Sequence, residues 1–428
     1  MIIASFLNEL VQSLTLINIS ERRISSKGTI PSRNAMGRPV IVSAVRTIGG
    51  RYGGGLSSLK APELGAAVVK EAVKRAGISG EEVDELVFGC GWQAGLGPNV
   101  ARLVAVNSGL PVKVPAYTVN IRCASSLQAV IQGARSIICG DSDVVVVGGT
   151  ESSSNVPYIL DKARWGARMG DMTAYDALHK DGFMCPLAGM LMGSTAELLA
   201  EKYNISREEQ DRFSLESHQK AVKAMNEGRF KEEVLTLEVV QRKKTLVLDQ
   251  EETPRPDASL EAMAKLPPVF KKEGTVTAGN SCALCDNASA MVIMSEEKAK
   301  SFGLTPMAVI RGYAAAGVDP KYMGIGPVEA VPKALNNAKL TLDEIDLIEL
   351  NEAFAVQYLA VEREMKWDRD KVNVHGGAIA LGHPVGSTGT KILTTLLYAL
   401  KAYDKTLGLV SACVGGGQGL AIVVERLN

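Results

Sequence analysis

The stretch Glu82-Val-Asp-Glu-Leu-Val-Phe88 returns 262 positions later as Glu344-Ile-Asp-Leu-Ile-Glu-Leu350. Each copy follows a helix-like stretch, Ala66 to Ala76 in one case and Val328 to Ala338 in the other. Each is an acidic turn that runs into a short apolar strand. Further on, Asp143-Val-Val-Val-Val-Gly-Gly149 has its counterpart in Leu407-Gly-Leu-Val-Ser-Ala-Cys-Val-Gly-Gly416. Helix, acidic turn, buried strand, then a second helix and a strand that ends in glycines is an α/β pattern used twice. A duplicated chain of this kind places its site between the halves. Carried across by the same offset, Cys123 falls at position 385, beside His383.

That second position lies in Asn373-Val-His-Gly-Gly-Ala-Ile-Ala-Leu-Gly-His-Pro-Val-Gly-Ser-Thr-Gly389, which holds two of the four histidines. Glycines at 376, 377, 382, 386 and 389 let backbone approach a small molecule closely. Histidine is the usual choice for moving protons near neutral pH. Two cysteines stand in matching settings. Cys123, in Val119-Asn-Ile-Arg-Cys-Ala-Ser-Ser-Leu-Gln-Ala-Val130, precedes apolar positions at helical spacing. It is expected near a helix N-terminus, where the helix dipole favours thiolate. Cys413 ends an apolar strand that enters three consecutive glycines.

The flanks of Cys123, together with Asn351-Glu-Ala-Phe-Ala355, Gly382-His-Pro384 and Cys413-Val-Gly-Gly-Gly-Gln-Gly419, resemble in order the four active-site blocks of the thiolases. Val40-Ile-Val-Ser-Ala-Val-Arg-Thr47 and Gly148-Gly-Thr-Glu-Ser-Ser-Ser-Asn155 are similar to that family's framework text. Arg164-Trp-Gly-Ala-Arg-Met-Gly170 and Met192-Gly-Ser-Thr-Ala-Glu197 are similar to its loop-domain text. The likeness runs from about residue 36 to 427. It implies a thiolase fold of two βαβαβαββ halves in five layers, αβαβα, with an inserted loop domain over the substrate channel. It also implies roles. Cys123 matches the nucleophile, His383 its activator and Cys413 the acid/base for the α-proton. Asn351 matches the residue that orients a water near His383, and the N–H groups of Cys123 and Gly415 match an oxyanion hole. Met192, Ser281, Cys282, Phe354 and His375 are expected to line the substrate and coenzyme A site; for His375 a direct part in proton transfer is not expected. Glu352 matches a structural carboxylate.

Three departures from the family pattern stand out. Ser126 replaces the glycine usual three positions after the nucleophile. Leu191 stands where many short-chain members carry histidine, and Cys282-Ala283 replace a Ser-Gly pair. The resemblance implies an acyl-CoA C-acyltransferase that interconverts two acetyl-CoA with acetoacetyl-CoA and CoA, with the thioesters as substrates and no resident cofactor or metal. Three alternatives stay open: a longer-chain 3-ketoacyl-CoA thiolase, a ketoacyl-synthase-type condensing enzyme and a non-catalytic binding subunit. Condensing relatives usually pair cysteine with two histidines, so Cys413 favours thiolase.

Forty-seven basic and 47 acidic residues cancel, which gives no nucleic-acid footprint. Seven scattered cysteines point to a reducing compartment, and the lone Cys282-Ala-Leu-Cys285 does not make a metal site. The expected organisation is an N-terminal extension (1–35), a first half (36–304) with a loop domain at about 154–284, and a second half (305–428). The apolar stretch at the start is broken by Asn8, Glu9 and Gln12, so no membrane span is expected. A cytoplasmic homodimer or homotetramer is expected, or an organellar one if residues 1–35 are a transit peptide.

Overall fold

A computed structural model describes residues 37–241 and 244–428. The extension expected at 1–35 lies outside the described residues. The first half contributes strands β1 (Pro39–Arg46), β2 (Glu85–Gly89), β3 (Ala116–Val119), β4 (Val144–Ser152) and β5 (Cys285–Ser295). They are ordered β3-β2-β4-β5-β1. The second half supplies β6 (Ala308–Gly317), β7 (Leu347–Leu350), β8 (Leu407–Val414) and β9 (Gln418–Arg426), ordered β7-β8-β9-β6. A parallel bridge from Ile348 to Val372 stands where β2 pairs with β3 in the first half. The duplication read from the sequence is therefore a repeat of strand order. The two sheets join edge to edge through β1 and β6, in only two residue pairs, Val40 with Val309 and Ile41 with Ala308.

Helices α1 (Ala61–Ala76) and α2 (Val100–Asn107) cover the outer face of the first sheet. Between the sheets lie α3 (Ser125–Cys139) and, further along the chain, the helix Thr388–Ala402. Leu127, Val130 and Leu393 pack there with Val145 and Val410, one from each sheet. All nine residues of β4 are buried, which is why it reads as Val144-Val-Val-Val147 without the alternation of a half-exposed strand. Between β4 and β5 the chain leaves the sheet and forms α4 (Met192–Tyr203) and α5 (Arg207–Asn226). The capping box expected for α5 is present, with Ser206 and Glu209 satisfying each other's backbone N–H groups. In the second half, α6 (Gly326–Ala338) and α7 (Ala355–Met365) form the opposite outer layer. The central helix of that half is α8 (Thr388–Ala402). Layers of helix, sheet, helix, sheet and helix result, as the resemblance implied.

One buried ion cluster ties the insertion to the sheet. Arg46, at the end of β1, donates from Nε to Glu233 Oε1 at 3.0 Å and from Nη1 to Glu251, all three side chains being buried. Glu251 also accepts from the N–H of Gly49. Removing one partner of such a cluster strands a buried charge at a cost of about 3–5 kcal/mol. Among the described residues no helix is long and apolar enough to cross a membrane.

Candidate active site

Strand β3 delivers the chain to Asn120, whose side chain shapes the turn that follows. Its Nδ2 donates to Gly91 O at 3.0 Å and its Oδ1 accepts from Arg122 N at 3.1 Å. Arg122 is held at φ 59°, in the left-handed region that a side chain enters at a cost of about 1–3 kcal/mol. Its guanidinium lies 4.6 Å over the Trp92 ring and donates to Gly91 O at 3.0 Å. Ser125 closes the turn by accepting from Ile121 N at 3.0 Å and donating to Arg122 O at 2.6 Å. Cys123 is thus delivered to the start of α3, packed against Trp92, Leu178 and Val385. The residue of the first half meets the loop of the second.

Burial pushes the Cys123 thiol up, against the opposing pull of Arg122 and of the Gly415 backbone. The helix start was expected to favour thiolate. Desolvation outweighs it, so this cysteine needs a base. His383 fits that need. Burial, helped by Lys391 and Arg122, pushes its imidazole down to about 3, so it is neutral near pH 7. Its backbone N–H donates to Ala283 O at 2.9 Å, and Nδ1 lies 2.6 Å from Thr388 Oγ1. With Nδ1 engaged, Nε2 is the nitrogen left to exchange a proton. Two buried charges hold the surrounding loop. Glu151 accepts from Gly386 N at 2.8 Å, Gly91 N at 2.9 Å and Trp92 N at 3.1 Å. Lys391 donates to Gly382 O at 2.9 Å and to Leu381 O. Sequence reasoning passed over Thr388, Glu151 and Lys391. Charged or hydroxyl side chains in buried helix and strand text were the available signal.

Cys413 sits near the end of β8, paired with Gly419 and fully buried. Burial pushes its thiol up, and the neighbouring thiols of Cys123 and Cys282 add to the effect. Asn351 follows β7 and donates its N–H to Ser411 O at 3.0 Å. Its side chain is buried, and neither Oδ1 nor Nδ2 has a partner among the described residues. A buried amide left like this costs about 1–3 kcal/mol per group, a cost usually met where a reacting group is to be held.

A cavity of about 850 Å³ opens on the insertion side, walled by Ser281, Cys282, Ala283, Arg51, His218 and Arg255. Cys282 N donates to Ala353 O at 3.1 Å, so the cavity wall and the Asn351 block are fastened together. Met192 lies with its terminal methyl over Gly415, and Phe354 stands edge-on to Phe270 with its backbone bridged to Ser281. Neither lines the cavity; both share an apolar cluster with Cys413. The structure does not bring His375 to this cavity. Its ring packs 5.8 Å from Phe230 and 5.6 Å from Tyr403, away from the cavity lining, and Nε2 has no partner among the described residues. Its glycine-rich setting, shared with His383, reflects the close approach of Gly376 to α5. His218 is the converse case. The text around it reads as a surface helix, yet its ring is buried, accepts from Arg255 N at 3.2 Å and lines the cavity. Glu352 is structural in its contacts, accepting from Ser217 Oγ, Asn373 Nδ2 and Ile379 N.

Comparison with known proteins gives one consistent picture. Residues 39–297 match the family model of the thiolase N-terminal domain and residues 304–426 that of the thiolase C-terminal domain. The acetyl-CoA acetyltransferase of Escherichia coli (strain K12) is 51% identical over 390 residues, covering 91% of this chain and 99% of that protein. The crystal structure of the Bacillus anthracis acetyl-CoA acetyltransferase superposes with a TM-score of 0.90 at 45% identity, over 92% of this chain and 100% of that one. The structure of the acetyl-CoA acetyltransferase from Syntrophomonas wolfei gives the same TM-score, 0.90, at 42% identity.

Proposed function

This chain belongs to the thiolase family, and we infer from that and from its site that it is an acetyl-CoA C-acetyltransferase, interconverting two acetyl-CoA with acetoacetyl-CoA and CoA. The observation that carries the reading is the meeting of two thiols from different halves. Cys123 packs against Val385, two residues past His383, and its thiol is close enough to Cys413 to push that thiol up, with the Gly415 backbone, two residues past Cys413, pulling on the Cys123 sulfur. Neutral imidazole Nε2 takes the Cys123 proton as the sulfur attacks the thioester carbonyl. The tetrahedral oxygen develops its charge towards the N–H groups of Cys123 and Gly415. CoA leaves as the thiol, taking the proton from His383, and Cys123 is left acetylated.

A second acetyl-CoA then enters. Cys413, its own proton passed to His383, removes the α-proton, and the carbanion attacks the acetyl carbonyl. The carbon–carbon bond forms as the Cys123 sulfur departs, taking the proton back from His383. A water oriented by the amide of Asn351, together with the imidazole of His383, faces the thioester oxygen on which the enolate charge builds. A removed oxyanion donor typically costs about 3–4 kcal/mol of transition-state stabilisation. Thiolysis of acetoacetyl-CoA runs the same steps backwards. The cavity walled by Cys282 suits the pantetheine arm, with Arg51 and Arg255 available to phosphates. The test is thiolysis of a 3-ketoacyl-CoA series of increasing length. Highest kcat/KM on the four-carbon substrate supports the reading; a maximum at longer chains makes the protein a longer-chain thiolase, and no turnover on any member defeats both.

We also propose a homo-oligomer of two or four chains, in the cytoplasm or an organelle matrix. All seven cysteines are free, which suits a reducing compartment. Strand β3 pairs only with β2 among the described residues, and Trp165 (89% exposed) and Met169 (96%) stand out on the segment between the short strands Tyr158–Ile159 and Tyr175–Asp176. Both features suit burial against a second copy.

A further inference from the structure

Ser126 is fully buried, three residues after the nucleophile, where the family pattern leads one to expect glycine. Its hydroxyl oxygen accepts a hydrogen bond at 3.0 Å from the backbone N–H of Thr390, in the first turn of α8. That turn lacks a cap of its own. The residue before it, Ser387, makes no side-chain capping bond, its hydroxyl donating instead to Asn287 Oδ1 at 2.7 Å. The first N–H groups of a helix have no partner within the helix, so α8 draws one acceptor from the other half of the molecule. The same turn carries Thr388, whose hydroxyl holds His383 Nδ1 at 2.6 Å. A single contact therefore runs from the turn of the Cys123 helix to the turn that orients the base. Space for it comes from close backbone approach: a Cβ at Gly389 would lie 2.5 Å from Leu127 N. The first turns of α3 and α8 are pressed together, and Ser126 is the polar link between them.

We propose that Ser126 is a positioning residue, fixing the first turn of α8, and through Thr388 the imidazole of His383, relative to Cys123. A glycine at 126 offers Thr390 N no side-chain acceptor, so this coupling is a property of this chain's own substitution. Ser289, on β5, extends the link, touching both Ser387 Oγ at 2.9 Å and the Thr390 hydroxyl. The hydroxyl group at 126 thus joins a buried polar network whose members restrain one another.

The inference rests on the assignment of Cys123 as nucleophile and His383 as its base. Its test reads that pair directly. The rate of Cys123 alkylation by iodoacetamide, followed by mass spectrometry of the Cys123 peptide, is compared at several pH values in the wild type and in Ser126→Ala, Thr388→Val and the double variant. Expected for Ser126→Ala is a fall of about tenfold in the alkylation rate at pH 7 and in kcat for acetoacetyl-CoA thiolysis, with KM unchanged within about twofold. Thr388→Val should fall at least as far, and the double variant should be no slower than Thr388→Val alone, because both act along one path. Wild-type alkylation and kcat in Ser126→Ala would overturn the proposal, whatever its thermal stability. So would a double variant whose loss is the product of the two single losses. Absence of thiolysis by the wild type would defeat the proposed function and leave the alkylation comparison standing as the test of Ser126.

Discussion

At the scale of single residues, the two thiols divide the reaction between them, and substitution separates the halves. Acetyl-CoA should label the wild type at Cys123, and Cys123→Ser should abolish the label, since an alcohol near neutral pH is far less ionised than a thiol. Cys413→Ser should still acquire the acetyl group but lose most deuterium exchange at the acetyl methyl and at least about a hundredfold in condensation. Mass spectrometry of the acylated enzyme alongside the exchange rate checks both; full exchange in the Cys413 variant would leave that residue a packing role. His375 gives a prediction of a different kind. Burial first, with Arg229 adding to it, pushes its imidazole down to about 4, against an ordinary 6.5. The unfolded chain therefore takes up this proton at a higher pH than the folded one. The ring's cost to stability is absent above about pH 7 and grows as pH falls from 6.5 towards 4, to an upper bound of about 3 kcal/mol. In His375→Phe, the loss of urea stability between pH 7 and pH 5 should shrink by about 1–2 kcal/mol, with thiolysis kept within about twofold. A hundredfold drop in kcat would return His375 to the site.

At the scale of elements, glycine placement sets how closely the halves meet. Gly89 faces the Gly386 carbonyl, at 2.5 Å from where its Cβ would be, and Gly389 faces Leu127 N at the same distance. Neither contact is with a flexible side-chain end, so the backbone itself would have to move. Gly389→Ala should cost at least about 3 kcal/mol of stability and lower the Cys123 alkylation rate together with it, as measured by urea unfolding and by the alkylation assay. A stable, fully reactive variant would mean that the helix starts can separate freely. The glycines and histidines of the loop, the buried strands and the duplicated order were all legible in the sequence, because each leaves a local mark: a φ requirement, an apolar run, a repeat. The fate of His218 was not. Its helix is polar on average, and burial there comes from the Thr253–Arg255 text folding over it, a contact between residues far apart in the chain. His375 and His383 share one local signature, and only packing partners distinguish them. The bond from Ser126 to Thr390 is long-range too, and nothing in either segment alone announces it.

At the scale of the whole molecule, the proposed assembly and the extension are separable questions. Sedimentation at micromolar concentration should give a dimer or tetramer. Changing Trp165 and Met169 together to serine should reduce the association, with the fold kept as judged by circular dichroism. An active monomer from the unaltered chain would defeat the oligomer. A chain that begins at Met36 should fold and turn over acetoacetyl-CoA like the full chain, since the family match starts at residue 39. Loss of soluble protein on that truncation would give residues 1–35 a structural part.

The seam between the sheets has a consequence for how the protein is made. Strand β1 leaves the ribosome first among the described strands, yet it ends up in the middle, with β5 on one side and β6 on the other. Both flanking strands begin after residue 284, so the N-terminal strand must wait through the synthesis of more than half the chain. At 5–20 residues per second that is roughly ten to fifty seconds with an apolar strand unpaired on both edges. Nascent chains arrested before residue 285 should therefore be cut readily by protease near β1 and be retained by holding chaperones. Chains long enough to expose β6 should close over it and become resistant. Slowing elongation between β1 and β6 should accordingly raise the fraction of chains cut before the seam can close.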